Sequence, residues 1–374
     1  MNFDFSEEQQ LLQNSVARFI EDNYELSKRQ KLTNEEPGFS KDHWATMAEL
    51  GWLGATLPED VGGFGGNQID AMLIMEQFGK GLVLEPFFAS CILGAKAVAL
   101  GGQDALKQSI LPKVIDGSAQ LALAYAEEQA RFDLNDVKTT ATKSGDGFTL
   151  SGQKSVVQNA ATANYIVVST RTSAGQIDPN GISLFLIDAK SDGVDIKDFS
   201  TVDGLRASEI SLNDVSVSDE NRLGDIDQGL ALLQTVVNDG ILSLAAEAVG
   251  AMEVLYKDTV EYTQQREQFD HPLSEFQVLQ HRMVDMFMEY EQCKSLLYRA
   301  TLEVAQGGAD AQRTVHALKY HVGKSGIFVG ENAVQLHGGM GMTDELRIGH
   351  YFKRLLVIDA MFGNADYHLQ QFAA

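Results

Sequence analysis

The amino-acid sequence predicts a mostly helical α+β chain, in which a helical first third and a helical final part flank a small antiparallel β module. Three observations carry this. Apolar residues recur at helical spacing up to about residue 115, the pattern changes between about 118 and 222 to short β-branched runs bounded by Gly, Asp and Asn, and helical spacing returns from about 226. The boundaries fall at 1–117 for an N-terminal helical domain, 118–225 for a middle β domain and 226–374 for a C-terminal helical bundle.

Ser6 followed by Gln9 has the spacing of a capping box, and Leu11, Leu12, Val16, Phe19 and Ile20 extend it as an apolar helical stripe. The segments SKDHWATMAELGWLG and NQIDAMLIMEQFGKGL read as further helices separated by Gly and Pro. GFTLSG, YIVVSTR, GISLFLID and EISLNDVSV read as strands, antiparallel because their turns follow closely in sequence. Proline stops or kinks a helix, and Pro272 is the only proline after Pro179. Residues 228–268 and 274–306 are therefore expected as two long helices broken at Asp270-His271-Pro272. A third runs from about 309 to 336 and ends at the glycines of HGGMG, and a last one covers roughly 344–371.

Composition narrows the function classes. The 374 residues carry a formal net charge of −23, which repels phosphate except at local basic pockets, so nucleic acid and anionic membrane are excluded as expected partners. Cys91 and Cys293 are the only cysteines, which argues against a disulfide framework and for a reducing cytosol. The acidic start MNFDFSEEQQLLQ does not resemble a secretory signal, and no run approaches the roughly 18 apolar residues of a membrane span. A cytoplasmic protein is expected. If its ligand is an anion, each arginine that meets it must be placed for the purpose.

Several motifs fail on inspection. GKS at 323–325 lacks the upstream glycine of a phosphate loop, because Leu318 stands there. GGFGG at 62–66 follows no strand and reads as a tight loop. His316 and His321 are five apart, without metal spacing on a helix, and HExxH, CxxC and GxSxG are absent. A sharper pair remains in REQF from Arg266 and QLHGGMG at 335–341. Arginine offers a planar, permanently charged fork for phosphate oxygens, while adjacent glycines let a backbone approach a ligand with its N–H groups free. Each alone reads more readily as a solvated helix charge or a helix C-cap. Together they suit a pyrophosphate.

PEDVGGFGG, LALAYAEEQARFD, SGQK followed by QNAATANYIVV, YTQQREQFDHPLSEFQ and QLHGGMG resemble the acyl-CoA dehydrogenases in order and spacing, across essentially the whole chain. The resemblance implies an N-terminal helical domain, a middle β domain and a C-terminal four-helix bundle, with FAD between β domain and bundle. It also implies oligomers in which one subunit's bundle reaches the neighbour's flavin. By that resemblance Arg266, Gln268, Phe269, Phe276, Gln277, Gln335, Leu336, Gly338 and Gly339 bind the adenosine and pyrophosphate of FAD seated in the adjacent subunit, with Val157 and Gln158 as further cofactor candidates.

The same resemblance exposes departures. In the family a glutamate takes the α-proton of an acyl thioester while hydride leaves the β-carbon for the flavin. Phe362 and Gly240 occupy the two usual positions of that glutamate, and neither accepts a proton. Ala126, Phe132, Val156 and Gln158 replace polar or aromatic residues usual beside the flavin. Ile241 replaces a basic residue near the acyl-CoA channel, and Asn364 and Asp366 replace residues after the catalytic position. The nucleotide-binding set is kept while the base is lost, as expected of a subunit in a heteromeric acyl-CoA dehydrogenase of the kind used in bacterial steroid-side-chain and dicarboxylate breakdown. The implied partners are a paralogous acyl-CoA dehydrogenase subunit in an α2β2 assembly, an acyl-CoA substrate and an electron-transfer flavoprotein. Two alternatives stand beside this: a self-sufficient homo-oligomer using Asp239 or Glu247 as a displaced base, and a non-catalytic flavin-binding, acyl-CoA-binding or structural subunit.

Overall fold

The computed structural model describes residues 5–374; residues 1–4 of the acidic start lie outside the description. The first part of the chain forms α1 (Glu7–Asn23), α2 (Leu26–Thr33), α3 (Lys41–Glu49) and α4 (Gln68–Gly81). A π-helical run over Phe88–Ala95 continues into α5 (Lys96–Gly101), and α6 (Asp104–Ile115) follows. Ser6 does cap α1: its side chain accepts from the Gln9 amide, and the Gln9 side chain accepts from the Ser6 amide, each at 3.2 Å.

The middle of the chain is a sheet. It contains β1 (Leu121–Ala124), β2 (Thr140–Ser144), β3 (Gly147–Gln158), β4 (Tyr165–Arg171), β5 (Ile182–Asp188), β6 (Val194–Ser200), β7 (Arg206–Ser218) and β8 (Arg222–Leu223). The strand order is β6-β7-β3-β2-β4-β5-β8, with β1 on β4. Most neighbours are antiparallel, as close turns require, but β1 pairs with β4 in parallel and β2 meets β4 in parallel through one residue pair. The sheet is therefore mixed. The antiparallel expectation fails at β1, because a long excursion over 125–139 separates it from β2 and no hairpin turn sets its direction. Alternate residues such as Leu150, Ile166, Phe185, Ile210 and Leu212 fill the core on one face.

The C-terminal part forms α7 (Gly229–Gln265), a two-residue-stranded hairpin of β9 (Glu267–Gln268) and β10 (His271–Pro272), α8 (Gln277–Ala305), α9 (Ala311–His337), α10 (Arg347–Ala360) and α11 (Ala365–Ala373). The break expected at Pro272 is this hairpin. The single helix expected over 344–371 is instead two, interrupted at residues 361–364, where Gly363 takes φ +111° and the Asn364 side chain caps α11 by accepting from the Tyr367 amide at 3.0 Å.

By contacts the chain divides into two compact units. One comprises residues 1–31, 68–83 and 241–374, and the other comprises residues 32–67 and 84–240. Within the first unit α4 crosses α7 at glycines: a Cβ on Gly250 would lie 1.9 Å from the Glu76 carbonyl oxygen, and one on Gly79 would lie 1.9 Å from that of Glu247. Only glycine allows two helix backbones to touch in this way. Among the described residues one helix, α7, is long and apolar enough to cross a membrane by length and composition, contrary to the expectation that no such run exists, but 67% of its most apolar window is buried inside the protein. Most of its apolar residues are buried, as in a core helix.

Candidate functional site

The end of α7 and the start of α8 present the first candidate group. The Arg266 amide closes the helix by donating to the Tyr262 carbonyl at 2.8 Å, and the Arg266 carbonyl accepts from the Leu273 amide at 2.8 Å, which fixes the chain on both sides of the hairpin. Phe269 and Asp270 form the hairpin tip with φ of +57° and +63°. Positive φ at both central residues matches the right-handed strand twist, but a bulky residue there carries strain of order 1–3 kcal/mol. The Phe269 ring is 86% exposed and meets Phe276 edge-on with centroids 6.4 Å apart. Arg266 is exposed, and its guanidinium has no partner among the described residues. Gln268 donates to the Glu267 carbonyl at 2.8 Å, and Gln277 opens α8 exposed. Beyond its edge contact with Phe276, a strained, exposed aromatic beside an unpaired arginine adds little inside the chain, which is the pattern of a surface built for something else.

The end of α9 supplies the second group. Gln335 is exposed, Leu336 is buried, and His337 is the last helical residue. Gly338 takes φ +62° and ψ −144°, a conformation reserved for glycine. Gly339 is not in the left-handed region, and a Cβ built on it would meet nothing within 4 Å. Neither backbone strain nor packing within the chain explains a glycine at 339. It leaves room for an approaching group instead. The two segments are joined through the stacked rings of Tyr262 and His337, whose centroids are 4.3 Å apart and whose planes differ by 24°. The cationic fork of Arg266 and an unobstructed glycine turn fit the diphosphate of a dinucleotide. Sequence reading missed the Tyr262–His337 stack; its one signal was an aromatic ring four residues before Arg266 and another directly before Gly338.

Phe362 lies in the turn between α10 and α11 with its side chain buried and φ +57°. The turn is held from beneath. The wholly buried Lys319 donates from Nζ to the carbonyls of Asp359 at 2.8 Å and Gly363 at 2.7 Å. His368 Nε2 lies 3.1 Å from the Phe362 carbonyl, which can only accept, so Nε2 carries the proton. His368 Nδ1 therefore accepts from His316 Nδ1 at 2.9 Å. Burial, with the Lys319 charge adding to it, pulls His368 down to about 3, and burial pulls Lys319 down to about 8. Nothing in this buried cluster was singled out from the sequence for this role, because a lysine on an otherwise apolar helix face reads as an ordinary snorkelling residue.

The remaining candidates are accounted for within their own units. Asp239 is buried and pairs with Lys96 at 3.3 Å. Glu247 is buried in a bidentate pair with Arg354, at 2.6 Å from Nε and 2.8 Å from Nη2. Gly240 and Ile241 are buried within α7, and Asp366 pairs with Lys324 at 3.0 Å. In the β module the Ala126 carbonyl accepts from the Ser155 amide at 2.9 Å, and Phe132 is half-buried. Register shifts between Lys154 and Val157 in β3, throwing Val156 outward at φ +53° and 58% exposure, while Val157 is buried and Gln158 half-buried. Beneath this bulge Glu127 takes Lys154 Nζ at 2.7 Å and the amides of Lys138 and Thr139 at 2.8 and 3.1 Å. Among the described residues no His, Cys, Asp or Glu cluster could hold a metal.

Helices before and after a mixed sheet define a helical and β protein. The acyl-CoA dehydrogenase N-terminal, middle and C-terminal domain models match residues 6–118, 122–215 and 227–374, so the chain belongs to this family of FAD-dependent flavoprotein oxidoreductases acting on acyl-CoA thioesters. It is 29% identical to the probable acyl-CoA dehydrogenase YngJ of Bacillus subtilis (strain 168), over 98% of this chain and 97% of that one. It is 27% identical to the caffeyl-CoA reductase-Etf complex subunit CarC of Acetobacterium woodii, over 97% and 96%. Among solved structures, the Tcur3481-Tcur3483 steroid ACAD superposes with a TM-score of 0.89 at 28% identity, covering 98% of this chain and 97% of that one.

Proposed function

We propose that this chain is the base-lacking subunit of a hetero-oligomeric acyl-CoA dehydrogenase, lending the nucleotide-binding end of its bundle to FAD seated in a paralogous partner. Bound FAD supplies the hydride acceptor. In this reading Arg266 binds the pyrophosphate, the Gly338-Gly339 turn admits it closely, and Phe269, Phe276, Gln268, Gln277, Gln335 and Leu336 line the adenosine side. The single observation that carries the reading is the outward-facing set itself: an unpaired Arg266, Phe269 strained and 86% exposed, and Gly339 with open space beside it. Val278, Val284, Phe287 and Met288 of α8 and Phe328 of α9 are also exposed, an apolar surface of the kind that subunit contacts cover.

The partner supplies the base in this account. Position 362 carries a phenylalanine, and the two carboxylates near the alternative position, Asp239 and Glu247, are each committed to a buried ion pair. Electrons pass onward to an electron-transfer flavoprotein, a proposal in line with the Etf complex named for the CarC relative, and the low cysteine count suits a cytoplasmic setting. The test is anaerobic mixing of the co-produced complex with a panel of acyl-CoAs, following loss of the flavin's visible absorbance. Bleaching should persist in Asp239→Asn with flavin content unchanged. Loss of bleaching in that variant, with flavin and melting temperature intact, would assign the base to this chain.

A further inference from the structure

Arg266 and Gly338 directly follow two helices and stand 72 positions apart in sequence, so their joint use on one ligand needs a device that holds them in register. The backbone hydrogen bond that closes α7 runs from the Arg266 amide to the Tyr262 carbonyl at 2.8 Å and fixes the Arg266 backbone one turn beyond Tyr262. The last residue of α9 is His337, directly before the glycine turn, and its ring is stacked on Tyr262. His337 Nδ1 lies 2.8 Å from the Ala333 carbonyl, which can only accept, so Nδ1 carries the proton. Burial lowers its pKa. The ring is 6% exposed and fixed by that bond on one side and the stack on the other.

We propose that His337 is a positioning residue for the adenosine diphosphate half of the flavin nucleotide, setting the Gly338-Gly339 turn against Arg266 through its stack on Tyr262. This rests on the nucleotide-site reading above and goes beyond it by naming a buried residue outside the proposed ligand-lining set. The stack acts on one half of FAD only. A residue that merely supported the fold would weaken every flavin alike, whereas a positioning residue for the diphosphate turn weakens the dinucleotide and spares a flavin without adenosine.

The experiment strips flavin from the full chain co-produced with its partner and titrates the apo complex with FAD and, separately, with FMN, reading flavin fluorescence. In His337→Ala the loss of one stacked pair should weaken FAD about tenfold and change FMN by less than about twofold. His337→Phe, which keeps a stackable ring, should stay within about twofold of wild type for both. Tyr262→Leu, which keeps bulk without the stack, should repeat the FAD-selective loss and serves if His337→Ala does not fold. Arg266→Ala separates the two claims. If it leaves FAD affinity unchanged, the nucleotide-site reading falls and this inference with it. If Arg266→Ala weakens FAD while His337→Ala and Tyr262→Leu do not, or if they weaken FMN as much as FAD, the positioning role alone is overturned.

Discussion

Glu127 gives the most quantitative prediction. Its carboxylate is 6% exposed and takes Lys154 Nζ and two backbone amides. Burial works to raise its pKa, but the Lys154 charge and these bonds win and hold it at about 2, against an ordinary value of 4.5. A carboxylate whose folded pKa is depressed adds stability at pH above its unfolded value and loses it as pH falls toward the folded one. A gap of about 2.5 units, at 1.36 kcal/mol each, amounts to about 3 kcal/mol of stability present above about pH 4.5 and gone near pH 2. Glu127→Gln removes this contribution and leaves Lys154 buried without a counter-charge, a loss of about 3–5 kcal/mol at neutral pH. Urea unfolding of both proteins from pH 7 to pH 3 measures it. The gap between wild type and variant should narrow steadily below pH 4.5, and a gap independent of pH would refute the argument that the ionised pair carries the stability.

Other expectations follow from the same geometry. Gly250→Ala drives a methyl into the Glu76 carbonyl, so it should destabilise by at least the 1–3 kcal/mol typical of overpacking, seen as a lower urea midpoint. Arg354→Met strips the partner from buried Glu247 and should cost about 3–5 kcal/mol, measured the same way. Phe269→Gly relieves the left-handed strain at the hairpin tip and gives up only the exposed edge contact with Phe276. It should therefore raise stability by about 1 kcal/mol while lowering the flavin occupancy of the assembled complex. Equal or higher flavin content in that variant would remove Phe269 from the nucleotide site.

Much of the layout was legible in the residues because local signals and packing agreed. The capping pair Ser6 and Gln9, the change of periodicity near 118 and the break at Pro272 each correspond to an observed element. The parallel pairing of β1 was not legible, since strand direction across a long loop is set by tertiary closure and leaves no mark in a four-residue run. The interruption at 361–364 had a signal in Gly363-Asn364, a positive-φ residue followed by an N-cap, which helical periodicity on both sides masked. Arg266 and Gly339 could be singled out because residue type alone carries their chemistry. Tyr262, His337 and Lys319 could not, because their roles depend on which distant backbone or ring each one meets.

The central claim is that this chain serves a flavin it does not hold alone. The most direct measurement compares flavin content and anaerobic acyl-CoA bleaching for the chain produced by itself and for the chain co-produced with a paralogous acyl-CoA dehydrogenase subunit that retains its glutamate. The account predicts a colourless, inactive protein in the first case and a yellow, acyl-CoA-bleachable complex in the second. A yellow homo-oligomer of this chain alone that is bleached by an acyl-CoA would contradict it.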